Sequence, residues 1–131
     1  MTRHVILAAL AVALVACTRS VPAPTGIPSA GALDVVLGTP NGDDGALLVR
    51  VGGGPIDSVT SPGGYAVVAG AAERTTRRVI VQGNVEAGVI ARVWVPDAAR
   101  AASYTAAVEQ AASRSYEQRG LAGYSASLRA R

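Results

Sequence analysis

The sequence predicts an all-β fold, a single small antiparallel β-sandwich over residues 31–131. Two observations support this prediction. Segments of five to eight residues alternate apolar and polar side chains, and clusters of Gly, Pro, Asn, Asp or Ser separate them about every 8 to 12 residues. Alternation with a period of two is typical of strands with one buried face. Short strands at this spacing are typical of sandwiches.

The first two predicted strands flank a turn. The segment GALDVVLG at 31–38 points Asp34 away from an apolar face, and the cluster PNGDDG at 40–45 predicts a turn. The segment ALLVRV at 46–51 then points Arg50 outward. The residues predicted to face inward are Leu33, Val35, Leu37, Leu47, Val49 and Val51.

Five further strands are predicted along the rest of the chain. They lie at residues 56–60, 65–69, 77–83, 89–96 and 123–129. In RRVIVQG, Val79 and Val81 share one face, while Arg78, Ile80 and Gln82 share the other. In the final segment, GYSASLR, Tyr124 begins the face that alternates with serines.

The Ala-rich segment 97–120 has two possible structures. Asp97 is a candidate N-cap and Gly120 a candidate stop, so local propensity favours a helix. The alternative is a strand with one face formed by alternate residues of 104–108, followed by a loop over 111–120. We prefer the strand, because a sandwich needs a hairpin partner for the final strand.

A candidate partner surface lies on the segment VIARVWVP. Strict alternation places Ile90, Arg92 and Trp94 opposite the valines that face the core. Trp and Arg are enriched at binding hot spots, and an exposed indole can also stack on a sugar. The preferred interpretation is that residues 97–120 fold over this face and bury Trp94, since large apolar rings are seldom left bare.

The strand count, strand length and turn rhythm of residues 31–131 resemble small extracellular sandwiches of the immunoglobulin or cohesin type. The Cys and Trp spacing of true immunoglobulin domains is absent. Cohesins bind partner proteins, so the resemblance implies a binding module.

Residues 1–16 are predicted to be a signal peptide. The apolar run Val5–Ala16 has 12 residues, which is about 18 Å as a helix and too short to span a bilayer.

The segment Leu14-Val15-Ala16-Cys17 resembles the lipobox of bacterial lipoproteins. That resemblance implies cleavage before Cys17, a diacylglyceryl group on its sulfur, and further acylation of the new amino terminus by a chain such as palmitate. Two or three acyl chains anchor a protein stably. The alternative is a secreted protein in which Cys17 is a free thiol.

Residues 17–30 contain the lipidated Cys17 and a Pro-rich tether. Pro22, Pro24 and Pro28 favour an extended, solvated spacer. Thr18 stands where sorted Gram-negative lipoproteins retained in the inner membrane carry Asp. The expected location is therefore the extracytoplasmic side of a membrane, and the outer membrane in a Gram-negative cell.

Composition excludes several chemistries from the predicted mature chain. The one histidine, His4, lies in the signal peptide, the chain has no Lys, and Cys17 is its one cysteine. Histidine- or cysteine-dependent triads, Schiff-base lysines and common zinc sites are therefore excluded. We expect no catalytic residues, no cofactor and no bound metal. A mature side-chain balance of 11 Arg against 9 acids is too weak to indicate nucleic-acid binding.

Two smaller features have alternative interpretations. Asn41, Asp43 and Asp44 offer oxygens to calcium but are also ordinary turn residues. The cluster of Arg74, Arg77 and Arg78 could face anionic lipid headgroups or simply be solvated.

Three hypotheses of function follow. The leading one is a membrane-anchored lipoprotein that acts as a non-catalytic binding or structural module of the bacterial cell envelope, with an envelope protein or polysaccharide as partner. The second is an assembly or inhibitor lipoprotein of one specific envelope complex. The third is a hydrolase that uses only carboxylates, since glycosidases need two acids.

The lipid anchor is tested by Cys17→Ser. We expect this variant to leave the membrane fraction or to remain unprocessed, because serine cannot form the thioether. Mass spectrometry of the mature amino terminus is the direct measurement, and an unmodified Cys17 in the native protein would contradict the anchor.

Overall fold

The structure, a computed structural model, describes residues 26–131, so the predicted signal peptide and Cys17 lie outside the described residues. Nine strands account for most of it: β1 Gly31–Gly38, β2 Asp44–Gly52, β3 Ser58–Thr60, β4 Tyr65–Ala69, β5 Thr76–Val85, β6 Gly88–Val95, β7 Thr105–Ser113, β8 Gln118–Arg119 and β9 Ser125–Ala130. A short 3₁₀ helix, Ala98–Ser103, precedes β7. Among the described residues, no helix has the length and apolar character needed to cross a membrane.

The strands form two antiparallel sheets that pack face to face. Sheet A has four strands in the order β3-β6-β1-β9, and sheet B has five in the order β4-β5-β2-β7-β8. The predicted all-β sandwich is confirmed, with strands forming 58% and helix 6% of the structure.

The core lies between the sheets and consists mainly of valine and leucine. Alternate residues of the long strands point inward, because successive side chains of a strand face opposite sides of its sheet. The inward prediction is confirmed for β1, β2 and β5. The buried apolar residues are Leu33, Val35, Leu37, Leu47, Val49, Val51, Val79, Val81, Val85, Ile90, Ala91, Val93, Val95, Tyr104 and Ala111.

The preferred strand interpretation of segment 97–120 is confirmed in its main part. Asp97 does cap a helix, accepting a hydrogen bond from the Ala99 backbone amide at 3.2 Å, but that helix has only six residues. The predicted loop over 111–120 is too long, since β7 continues to Ser113 and β8 forms at Gln118–Arg119.

The reason for preferring that strand is wrong. The final strand, β9, does not form a hairpin with β7. It pairs with β1 in sheet A, with Asp34 opposite Arg129 and Val36 opposite Ser127, whereas β7 pairs with β2 and β8 in sheet B. The strands β7 and β9 therefore belong to different sheets.

A β-bulge overturns the predicted placement of Ile90. Val35 of β1 pairs with Ala91, and the next residue, Val36, pairs with Val89, so Ile90 is an extra residue in β6. A bulge reverses the alternation on one side of itself. Ile90 and Ala91 are therefore both buried, and Ile90 does not lie beside Trp94 on the outer face.

A second bulge, at Gly45 in β2, changes the role of Asp44. In the pairing with β7, Asp44 lies opposite Ser113 and Ala46 lies opposite Ala112, the residue next to Ser113. Gly45 is therefore the extra residue of β2. A Cβ on Gly45 would lie 2.7 Å from the Arg114 Cα, so the close approach requires glycine. The predicted turn over 40–45 therefore ends early, and Asp44 begins a strand as a buried residue.

The core is tested by comparing two neighbouring leucines of β2. Leu47 is fully buried, whereas Leu48 points to the outer face of sheet B. We expect Leu47→Ala to lower the free energy of unfolding by about 2–5 kcal/mol through lost burial and a residual cavity. Leu48→Ala should cost less than about half as much. Urea unfolding followed by far-UV circular dichroism measures both, and equal losses would contradict the assignment of faces.

Candidate binding face

Trp94 lies on the outer face of sheet A. Its side chain is held against the edge strand, because Nε1 donates a hydrogen bond to Oγ1 of Thr60 at 3.3 Å. The residue is 43% exposed, so the ring leans along the sheet with part of its surface open to solvent. The preferred interpretation, in which residues 97–120 cover Trp94, is wrong, because Trp94 is exposed and the strands of that segment, β7 and β8, belong to sheet B.

Three arginines surround one aspartate beside Trp94. The carboxylate of Asp34 lies 3.3 Å from Nε of Arg92, and 4.0 Å from both Nη2 of Arg129 and Nε of Arg131. Asp34 is buried under these side chains, although it lies on the outer face as predicted. Arg92 is therefore held by an ion pair at the centre of the face.

Strand register sets the spacing of these groups. Trp94 pairs with Ala32 across β6 and β1, and Asp34 lies between Arg92 and Arg129 in the next outward-facing row. Since β1 separates β6 from β9, the aromatic and basic edges are about 10 Å apart. Ala32 of β1 places only a small side chain between them.

The rest of this face has hydroxyl groups on its two edge strands and the half-buried Val36 and Val89 on its two central strands. Ser58 and Thr60 of β3 and Ser127 of β9 are exposed and offer hydroxyl groups. We define the Trp94 face as Trp94, Arg92, Asp34, Arg129 and Arg131. Its side chains carry two positive charges in excess of the one carboxylate, beside an aromatic ring and several hydroxyls.

The Arg129 and Arg131 guanidinium groups are open to a ligand. Their side chains are 67% and 52% exposed. At 4.0 Å from Asp34, they form ion pairs that are longer than hydrogen bonds. Most of their donors remain directed to solvent, so they could bind carboxylate or phosphate oxygens.

The calcium interpretation of Asn41, Asp43 and Asp44 gains no support from their contacts. The Tyr124 hydroxyl joins two of them, because it accepts a hydrogen bond from Asn41 at 2.8 Å and donates one to Asp44. Arg119 pairs with both Asp43 and Asp44. Among residues 26–131, no group of three His, Cys, Asp or Glu side chains is placed to hold a metal.

Asp44 instead anchors a buried polar network. Its carboxylate is inaccessible to solvent and accepts hydrogen bonds from Thr39 at 2.5 Å and Tyr124 at 2.6 Å. Nε of Arg119 lies 3.6 Å away, an ion-pair distance. Burial and the hydrogen bond to Asp44 raise the pKa of Tyr124, because both disfavour the charged phenolate. The carboxylate is thus committed to structure.

The arginines of the 74–78 cluster interact mainly with the protein itself. Arg77 donates to the backbone carbonyls of Gly70 and Asp57. Arg78 donates to Glu109 at 2.8 Å, and this hydrogen bond and charge raise its pKa. Glu109 also pairs with Arg50 across sheet B. The prediction that this cluster faces lipid headgroups gains no support from these contacts.

The outer face of sheet B carries an apolar stripe. Val68, Ile80 and Leu48 occupy one row across β4, β5 and β2, and Val68 and Ile80 are exposed. Beside the stripe, Tyr116 overhangs a shallow depression of about 310 Å³. This surface lacks the excess charge of the Trp94 face, because the neighbouring arginines share Glu109.

The fold and this face together define a small β-sandwich with an aromatic and basic outer surface. No family model, no curated protein and no solved structure matches the chain. The function is therefore inferred from the residues of the domain.

Sequence reasoning identified part of this face. Alternation correctly exposed Trp94 and Arg92 and directed Asp34 outward, but it wrongly included Ile90 and missed Arg129 and Arg131. The alternating pattern of β9 does direct Arg129 outward, and this is the signal for the missed arginines. To place them beside Arg92, however, one must know that β9 pairs with β1.

The polar network is tested by comparing Asp44→Ala with Asp43→Ala. We expect Asp44→Ala to lower the free energy of unfolding by about 2–4 kcal/mol, because Tyr124 and Thr39 lose a buried acceptor. Asp43 is exposed, so its variant should cost less than about 1 kcal/mol. Urea unfolding at pH 7 measures both losses, and a negligible effect of Asp44→Ala would refute the role assigned to the network.

Proposed function

We propose that this protein is a membrane-anchored lipoprotein of the bacterial cell envelope that acts as a non-catalytic binding module. In this proposal, a lipid on Cys17 anchors the chain, the Pro-rich segment acts as a tether, and the Trp94 face binds the partner. The partner is an envelope polysaccharide or protein. The proposal joins the anchoring motif in the sequence to the surface chemistry of the domain.

The single observation that carries the binding role is the exposure of Trp94. It is the one tryptophan of the chain, and it stands on a sheet face with neighbouring arginines. Exposed Trp and Arg side chains that cluster are typical of binding hot spots. A purely structural sheet face would not need an indole that is 43% exposed.

The position of the tether supports the use of this face. The described chain enters β1 at Gly31, which pairs with Val95 of β6, next to Trp94. The carbonyl of Ser29 also accepts a hydrogen bond from the Ala98 amide at 2.8 Å, which fixes the end of the tether to the domain. The Trp94 face therefore lies at the end of the domain from which an anchor would extend.

The carboxylate chemistry of a hydrolase receives less support. Asp43 and Asp44 are adjacent in the sequence, but Asp44 is fully buried and both carboxylates pair with Arg119. Asp34 is paired with arginines rather than with a second acid. Retaining and inverting glycosidases need two carboxyl groups that flank a substrate bond.

The proposal is tested by photo-crosslinking in cells. A photoreactive amino acid replaces Ser58, which is exposed beside Trp94. The matched control replaces Ala66, which is exposed on the edge strand of the other sheet. We expect a specific adduct from position 58 only, and its loss in the Trp94→Ala variant.

The identity of the adduct separates the remaining hypotheses. A heterogeneous high-mass adduct that a glycan-degrading enzyme removes supports a polysaccharide partner. One stoichiometric protein adduct supports the assembly or inhibitor hypothesis. Equal adducts from positions 58 and 66 would contradict binding through the Trp94 face.

A further inference from the structure

We propose that the ligand of the Trp94 face is an anionic glycan, a polysaccharide whose sugars carry carboxylate groups. This inference rests on the proposed binding function and narrows it to one class of ligand. It follows from three features of the face: its charge, its aromatic ring and its small hydroxyl side chains.

The charge of the face favours an anionic ligand. Its one carboxylate, Asp34, cannot neutralise Arg92, Arg129 and Arg131. Asp34 is closest to Arg92, which it holds in the centre of the face, while the other two guanidinium groups extend into solvent. Two exposed, neighbouring guanidinium groups match the oxygen pairs of a carboxylate. A ligand carboxylate there would replace water and offset the repulsion between the arginines.

The aromatic argument favours a sugar over a membrane surface. Trp94 is tied to Thr60 by its Nε1–H group, so the indole is held along the sheet rather than projecting into a bilayer. Among residues 26–131, the exposed Val68 and Ile80 lie on the outer face of sheet B, and Tyr116 lies beside them. Membrane-binding surfaces present several apolar side chains together. A single ring fixed in orientation suits stacking against one sugar.

The spacing of the strands favours an extended ligand. Ala32 of β1 lies in the row of Trp94, between β6 and the strand that carries Arg129, and β6 and β9 are about 10 Å apart. A polysaccharide lying across the strands would stack one sugar on Trp94 and direct the carboxylate of a neighbouring sugar toward the arginines. The hydroxyls of Ser58 and Ser127 line the same face and can exchange hydrogen bonds with sugar hydroxyls.

The test uses the full chain, solubilised in detergent, and the fluorescence of Trp94. The probes are three carboxylated glycans, polygalacturonate, hyaluronate and alginate, with neutral dextran and vesicles of anionic phospholipid as comparisons. We expect at least one carboxylated glycan to change the Trp94 emission, and dextran to leave it unchanged. Raising the salt from 50 to 300 mM should weaken binding by about threefold or more.

Two arginine variants provide the matched comparison. Arg129→Gln should weaken binding by about fivefold to tenfold, because it removes a charge-assisted contact. Arg50→Gln removes an exposed arginine from the opposite face and should leave the affinity within about twofold. Both variants retain Trp94 as reporter, and unfolding curves verify that they are folded.

Each contrary result has a distinct meaning. Binding to dextran as tightly as to carboxylated glycans would overturn the anionic preference while leaving a polysaccharide-binding module. Failure of all three carboxylated glycans, or a response to vesicles alone, would overturn the glycan assignment, even if Ser58 still yields a protein adduct in cells. Equal losses of affinity in Arg129→Gln and Arg50→Gln would also overturn it, because the glycan would then be attracted by the positive charge of the whole protein rather than by this face. Absence of any specific adduct at Ser58 would instead refute the underlying binding function.

Discussion

The buried carboxylate of Asp44 is the constraint on which one end of this sandwich depends. A charge with no solvent exposure is costly unless hydrogen bonds compensate it, and here Thr39 and Tyr124 supply them. Thr39 follows β1, and Tyr124 directly precedes β9, so the network joins β2 of sheet B to two strands of sheet A. By holding the start of β9, it fixes the register that brings Arg129 opposite Asp34. The basic half of the Trp94 face thus depends on a polar network at a distance from it.

Alternation predicted the strands and their inward residues well where pairing is regular. In β1 and β5, the buried apolar residues are all Leu or Val, and one apolar face is enough to fix the orientation. The errors fall at the two bulges. Ile90 is buried rather than outward, and Asp44, predicted to lie in a turn, begins β2 as a buried residue, because an extra residue reverses the alternation. Gly45 offers a hint in the sequence, since glycine within a strand often marks a bulge, but no such residue marks the bulge at Ile90.

The partners of the strands were harder to predict than the strands. Two features of the candidate site depend on long-range pairing: the exposure of Trp94 requires β7 to join sheet B, and the arginine cluster requires β9 to join β1. Local sequence does not encode either choice. The Ala-rich segment after Asp97 shows the same competition, because helix propensity produces only a 3₁₀ turn before packing against β2 imposes a strand.

The two outer faces use arginine in different ways, and this difference points to the site. On sheet B, Arg50 and Arg78 share Glu109, and Arg78 also reaches Glu73, so opposite charges balance. On sheet A, three arginines share Asp34 and leave an excess. Like charges held together lower stability in the free protein, and the one buried carboxylate, Asp34, cannot balance three guanidinium groups. An anionic ligand would relieve that repulsion. The unbalanced cluster beside an open indole is therefore the feature of the fold on which the proposed binding role depends.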